Sequence, residues 1–425
     1  MNLDNTLNDI INTINEYQLF TDNDLSQLTN SITDLMEEYI HYNILDIINH
    51  TFDKKLTKYI YKIFIIQIIH LFNHDVRYRV KYKIIKLIKN IKNKLYSKLI
   101  PPRSYNDSFI RNINFTDNYI NNLSEKIKIL QNAYQPAQRS EEWYTFRHNL
   151  LTASSIWKAC GTQASKNQLI YEKCKPYSVF GQVSTTSPLH WGQKYEPISV
   201  EFYNKLYATT IGDFGCIKHP KYPFIGASPD GINIDPTNKR FGRMLEIKNV
   251  VSREINGIPK LEYWIQMQIQ METCNLHECD FLETKFIEYD SEEQFLNDGS
   301  YTLSNDNCLK GRMIQFNLNG IVHYEYAPIY CTVLEYDEWE KYILDKNSEY
   351  EWIQNIFWKL ERYSNILVLR NKLWFNAIIN NIEELWNIVI KERITGYEHR
   401  APNLKKRTKK PDLIVNKCYV IMDTT

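Results

Sequence analysis

Glycine and proline are scarce in this chain, at 13 and 14 of 425 residues. The scarcity accompanies heavy use of Ile, Asn, Lys and Tyr, with 30 of the last. That is the bias of an AT-rich genome and not a structural signature, so motifs built from lysine or asparagine alone say little. No pair among Cys160, Cys174, Cys216, Cys274, Cys279, Cys308, Cys331 and Cys418 has C-x2-C spacing, which excludes a zinc ribbon. With no secretory leader at the N-terminus, the expectation is free thiols in a reducing, intracellular compartment, not a secreted protein. A membrane-spanning run of ~20 apolar residues is missing as well. The greasiest stretch, Tyr59 to Phe72, is broken by Lys62, Gln67 and His70, and no membrane partner is expected. Nor is there an excess of either charge: 51 Lys and Arg stand against 50 Asp and Glu. A surface for a polyanion can therefore arise only from local clustering.

The length allows two or three domains. From Leu3 to about Leu99 apolar residues recur at three- and four-residue spacing, a helical pattern. Thr21 and Asp22 offer cap chemistry before the helix carrying Leu25, Leu28, Ile32 and Leu35. Arg77 to Lys98 holds many Lys and Arg and no acid; Ile84, Ile88, Ile91 and Leu95 form one stripe, leaving most lysines opposite. Such a face could track phosphates or could simply be solvated. Pro101 and Pro102 break the helix, and Tyr105 to Tyr134 reads as a linker with one further helix. From Gln135 helical stretches alternate with β-rich runs: Phe224 to Gly226, Ile232 to Ile234, Met244 to Ile247, Phe281 to Tyr289, Met313 to Phe316 and Val322 to Tyr326. Tyr336 to about Arg393 reads as helix again, with Trp339, Trp352, Trp358, Trp374 and Trp386 as packing residues. The tail carries Lys405-Lys406-Arg407 and Lys409-Lys410. These shifts divide the chain into a helical region 1–134, a mixed domain 135–335 and a helical C-terminal extension 336–425.

The informative stretch is Ser228-Pro229-Asp230-Gly231, an apolar run, Asp235 to Arg243, and Met244-Leu245-Glu246-Ile247-Lys248. Asp235-Pro236-Thr237-Asn238 is strong turn chemistry, so the two apolar runs should fold back as a hairpin. Folding back brings Asp230 beside Glu246 and Lys248. Because strand side chains alternate, Glu246 and Lys248 share a face while Leu245 and Ile247 enter the core. Paired carboxylates bind a hard, oxygen-loving cation such as Mg²⁺, which can polarise a phosphate and acidify a water. A neighbouring lysine can orient that water, or take its proton if its own pKa is depressed. Lys239, Arg240 and Arg243 make the hairpin tip basic, which could touch DNA.

Four blocks in order resemble the PD-(D/E)XK nuclease superfamily, and within it the lambda-type exonuclease or YqaJ-like viral recombinase family in versions carried by large DNA viruses. They are Trp143 to Arg147 continuing to Leu151-Thr152-Ala153-Ser154; Trp191-Gly192 to Glu196; Ser228-Pro229-Asp230-Gly231 with Glu246-Ile247-Lys248; and Tyr263-Trp264-Ile265-Gln266-Met267-Gln268. The matched region spans roughly 135–289. The resemblance implies an α/β restriction-endonuclease-like core, a mixed central sheet flanked by helices; the helical extensions read at both ends have no counterpart in the minimal nuclease. It implies Glu196, Asp230 and Glu246 as ligands of Mg²⁺ or Mn²⁺, Lys248 as the residue that positions or activates water, and Gln266 as a polar group behind the metal. Arg147 and Ser154 would bind substrate phosphate near the cleaved 5′ end. Arg147 is apt, since a guanidinium fork grips phosphate, and a helix start just after it would add N–H donors.

The function expected is metal-dependent hydrolysis of linear duplex DNA from the 5′ end, in viral recombination or genome processing. A single-strand annealing recombinase and a homo-oligomer are compatible partners, and the host cytoplasm or nucleus is the compartment if the source is viral. Two other readings stay open: an endonuclease on the same core, and a catalytically silent DNA-binding protein that relies on the basic helix.

Overall fold

Residues 19–48, 51–99, 104–106, 116–138, 140–176, 185 and 187–402 are described by a computed structural model. The helical pattern before residue 19, the Pro101–Pro102 break, Cys418 and the basic tail lie outside these residues.

Thr21 caps helix α1 (Asp22–Tyr42) with a capping box. Its hydroxyl accepts from the Asp24 amide at 3.1 Å, and the Asp24 carboxylate accepts from the Thr21 amide at 2.8 Å. Helices α2 (Phe52–Ile68) and α3 (Arg77–Leu99) complete a three-helix bundle. Its core is Ile32, Met36 and Ile40 from α1, Leu56 and Ile60 from α2, and Val80, Ile84, Ile88 and Ile91 from α3, one buried stripe per helix as the spacing dictates. A 3-10 turn, Ile44–Ile48, joins this bundle to the rest by packing on the C-terminal helix.

Strand β1 (Tyr105–Asn106) and helix α4 (Asp117–Asn132) come next. Leu123, Ile127 and Leu130 of α4 belong to the main core of the following unit. That unit continues with α5 (Glu141–His148), β2 (Leu151–Thr152), α6 (Ala153–Ile156), α7 (Gln163–Cys174), α8 (Pro188–Tyr207), β3 (Ile211–Gly212), β4 (Ile217–Lys218) and β5 (Ile225–Ala227). Then come β6 (Gly231–Asn233), β7 (Met244–Asn249), α9 (Leu261–Cys274), β8 (Glu278–Glu288), α10 (Glu292–Asn297), β9 (Lys310–Leu318), β10 (Ile321–Tyr326), α11 (Val333–Lys346), β11 (Glu351–Leu369) and α12 (Lys372–Thr395). The large sheet runs β10-β9-β11-β8-β7-β6-β3, with β1 added on β11; β2, β5 and β4 form a second, three-stranded sheet. β7 and β8 are parallel, and the other pairings of the large sheet are antiparallel. The crossover between the parallel strands is α9, as parallel pairing requires.

The hairpin expected around Asp235 is present. Gly231 pairs with Leu245 and Ile232 with Met244, and the Asp235 carboxylate accepts from the Thr237 amide at 2.9 Å to close the turn. Leu245 and Ile247 pack with Leu282 and with Tyr203 of α8 on one face of the sheet. On the other face Met244 packs with Phe281 and α9. Helices thus cover both faces of a mixed sheet, the α/β class expected.

Three expectations need correction. Tyr336 to Arg393 is not continuous helix, because Glu351–Leu369 is a 19-residue strand lying between β9 and β8. No glycine or proline separates it from the flanking helices. Burial at both faces of its second half also erases the alternation that marks a strand. A division at residue 336 would therefore cut the central sheet, and one at 134 would detach α4 from its core. The packing role of the tryptophans holds for Trp358, Trp374 and Trp386, whereas Trp352 is 52% exposed. The basic hairpin tip is also not a free surface. Arg243 pairs with Glu278 and Asp280, and Arg240 pairs with Asp280 at 2.5 Å while stacking on Tyr207. Both arginines are thus engaged within the fold, and Lys239 alone of the three stays exposed.

Candidate active site

Asp230 lies just before β6 and Glu246 in the middle of β7, so the hairpin register sets them side by side. Glu246 is fully buried. Its Oε1 accepts from Gln266 Nε2 at 2.7 Å and from the Lys248 ammonium, and its Oε2 accepts from Gln270 Nε2 at 2.7 Å. Asp230 Oδ2 accepts from the Ile247 amide at 2.6 Å, which ties the loop before β6 to the strand bearing Glu246. Burial, and then the Glu246 charge, push the Asp230 carboxyl well above its usual range against the pull of Lys248. Burial works against the Lys248 ammonium, but Glu246 and Asp230 outweigh it and hold its pKa above the usual value.

Glu196 reaches the same place from α8. Asp230, Lys248 and Glu196 line one cleft of about 530 Å³ together with Gln193, Ser252, Arg253, Lys260 and Tyr263. Asn249 fixes α8 against β7. Its Oδ1 accepts from Ser199 at 2.8 Å and Thr284 at 2.6 Å, and its Nδ2 donates to the Gly192 carbonyl at 2.8 Å. Among the described residues no three His, Cys, Asp or Glu side chains are gathered closely enough to hold an ion as they stand. The donor set nevertheless fits a hard cation. Two carboxylates meet beside a single ammonium, with a third on the cleft wall, and burial together with the Glu246 charge drives Asp230 toward its neutral form.

Arg147 stands at the C-terminal end of α5, not before a helix start, so the backbone groups beside it are carbonyls. Its guanidinium lies over the Trp143 ring at 4.5 Å and donates to Ser228 Oγ at 3.1 Å. Ser228 is two residues from Asp230, so Arg147 bonds to the loop that carries Asp230. Ser154 is exposed at the first turn of α6, with its hydroxyl 3.4 Å from Thr152 Oγ1; Ser228, not Ser154, is the serine bonded to Arg147. Two basic side chains from outside the motifs cap this helix end. Lys173 Nζ donates to the Arg147 carbonyl at 2.8 Å, and Arg393 of α12 donates to the His148 carbonyl at 2.8 Å, to Asn149 Oδ1 at 2.9 Å and to the Lys173 carbonyl at 2.8 and 2.9 Å.

Gln270, Ser228, Lys173 and Arg393 were not singled out from the sequence. Gln270 had a signal, since it is one helical turn beyond Gln266, and Ser228 sits within the Ser-Pro-Asp motif. Arg393 had none. Conversely Gln268 turns away from the site. It donates to the Leu369 carbonyl at 2.9 Å and accepts from the Asn371 amide at 2.6 Å, anchoring the start of α12.

Residues 142–277, which hold Arg147, the three acids, Lys248 and both glutamines, match the family described as the YqaJ-like viral recombinase domain. This stretch is therefore similar to a YqaJ-like domain. The chain is also 29% identical over 302 residues to uncharacterized protein R354 of Acanthamoeba polyphaga mimivirus, a match covering 62% of this chain and 54% of that one. The chain thus spans about half the length of this curated relative. Among solved structures, the alkaline exonuclease LHK-Exo of Laribacter hongkongensis is similar at 19% identity and a TM-score of 0.34, over 61% of this chain and 95% of that one. A phage-related exonuclease from Haemophilus somnus 129PT is similar at 13% identity and a TM-score of 0.31, over 59% and 96%. In this chain the matched stretch does not close on itself, because β11 and α12 beyond residue 277 complete its sheet and its core.

Proposed function

We propose that the chain is a DNA nuclease dependent on a divalent cation, Mg²⁺ or Mn²⁺, that degrades linear duplex DNA from a 5′ end in viral recombination. The observation that carries the reading is the junction at Ser228: the loop that bonds a guanidinium suited to a terminal phosphate also carries Asp230, which stands beside Glu246 as an acid pair suited to a cation. Asp230 and Glu246 would hold the ion, with Glu196 approaching from the cleft wall. Such an ion supplies Lewis-acid polarisation of a phosphate oxygen and a more acidic water.

The chain's own residues do the rest. Gln266 and Gln270 fix both Glu246 oxygens so that the carboxylate meets the cation in one orientation. Lys248, kept charged by its carboxylate neighbours, acts as a hydrogen-bond donor that orients the attacking water and offsets charge developing on the phosphate. Arg147, propped on Trp143, grips the 5′ phosphate with its fork. The product, a duplex with a single-stranded end, is the material that a single-strand annealing recombinase takes up.

End-labelled linear duplex and closed circular DNA test this directly. With Mg²⁺ the linear substrate should shorten and the circle stay intact, and chelation should stop the reaction. Glu246→Ala and Lys248→Ala should each lower the rate on the order of 10²-fold or more. Cleavage of the circle would replace the exonuclease reading with an endonuclease, and full activity in both variants would dismiss the site.

A further inference from the structure

The bundle helix α3 presents a face that neither its packing nor the nuclease site uses. The 23-residue helix has no acidic residue, and its Val80, Ile84, Ile88 and Ile91 are buried against α1 and α2. On the opposite side Tyr78, Tyr82, Lys86 and Lys89 follow one another at four-, four- and three-residue steps, which places them on one stripe. Tyr78 is 80% exposed and Tyr82 62%; Lys86 and Lys89 are exposed, as are Lys81 and Lys83 on the flanks. Two nearby cations are engaged elsewhere. Lys92 pairs with Asp53 at 2.8 Å, and Arg77 donates to the Phe72 carbonyl at 3.0 Å.

A solvated lysine face needs no aromatic rings. Rings this exposed add nothing to the bundle core, yet they stand about 6 Å apart along the helix axis with ammonium groups one turn away. That combination is what a strand of unpaired bases requires: flat platforms for stacking and cations for the phosphates. A duplex keeps its bases stacked on one another, so it could use the lysines but not the tyrosines.

We propose that the Tyr78–Tyr82–Lys86–Lys89 face of α3 is a binding site for single-stranded nucleic acid. It does not depend on the nuclease reading, although a strand-resecting enzyme would generate such a ligand. The test uses the full chain in chelator, so that cleavage plays no part, and follows the anisotropy of a labelled oligothymidine strand and of a labelled duplex hairpin across a salt series. Tyr78→Ala with Tyr82→Ala should weaken single-strand binding by about tenfold or more, with the salt slope and the duplex affinity unchanged. Lys86→Gln with Lys89→Gln should reduce the slope of log affinity against log salt by about 0.7 per charge on the single strand. Since all four side chains point to solvent, unchanged melting temperatures will show that the bundle is intact. Wild-type affinity in both variants, equal losses on strand and hairpin in the tyrosine variant, or no single-strand binding by the wild type would each overturn the proposal.

Discussion

Gln266, Gln268 and Gln270 share one helix but not one task. The first and third are a turn apart and face Glu246; the second is rotated away and holds the start of α12. Gln270→Leu should leave a buried carboxylate oxygen and the Ser228 carbonyl without their donor. The expected result is a 10–100-fold loss of cation affinity or rate, read from activity against Mg²⁺ concentration. Gln268→Leu should do the reverse. The rate per folded molecule stays, while stability falls by about 1–3 kcal/mol because the Asn371 amide and the Leu369 carbonyl lose their partner, as a shift in the urea midpoint would show. The meeting of Asp230 with Glu246 and Lys248 was legible in the sequence, because the turn residues and the strand alternation fix which side chains the hairpin brings together. The division of labour among the glutamines was not, since three equal side chains at two-residue steps are sorted only by the phase of the helix against the sheet.

At the scale of elements, the β6–β7 hairpin was legible because turn residues and strand alternation agree there. The coupling of α12 to α5 was not, since Arg393 meets the carbonyls of His148 and Lys173 across more than 200 residues of chain. Arg393→Ala should free the end of α5 and with it Arg147. Under the proposed function the KM for 5′-phosphorylated ends should rise more than that for 5′-hydroxyl ends, with kcat nearly unchanged. The same corner predicts a pH effect. Burial, and then the charges of Arg147 and Arg393, press the Lys173 amine down to about 7 from its ordinary value of 10.5. Between those two pH values the unfolded chain binds a proton that the folded chain does not. Lys173 therefore makes stability rise as pH climbs through this window and fall as pH drops toward 7, with no further change below it. Urea midpoints at pH 7.5 and 9.5 should show a smaller alkaline gain in Lys173→Met than in the wild type. An equal gain in both would mean that the amine is charged in the fold.

Across the whole molecule, the two helical ends are unlike in kind. The N-terminal bundle has a core of its own and meets the remainder through the Ile44–Ile48 turn. The C-terminal portion supplies β11, between β9 and β8, and α12, whose Trp374, Ile378, Ile382 and Val389 are part of the main core. In β11 alone Ile356, Phe357, Trp358, Leu360, Ile366, Leu367, Val368 and Leu369 are buried. At roughly 1.5–3 kcal/mol for each large apolar side chain, the loss is comparable to or larger than the roughly 5–15 kcal/mol by which a domain is stable. A chain ending at residue 335 should therefore be insoluble or lack a cooperative melt, although it retains every motif and all of residues 142–277. A chain starting at residue 104 keeps the sheet, both flanking layers and the cleft. It should melt cooperatively and, under the proposed function, cut linear duplex at close to the full-length rate, while its affinity for a single strand drops to the level of the Tyr78/Tyr82 variant or below. Circular dichroism melts and the two DNA assays on this pair would separate a scaffold that the nuclease site needs from a bundle that it does not.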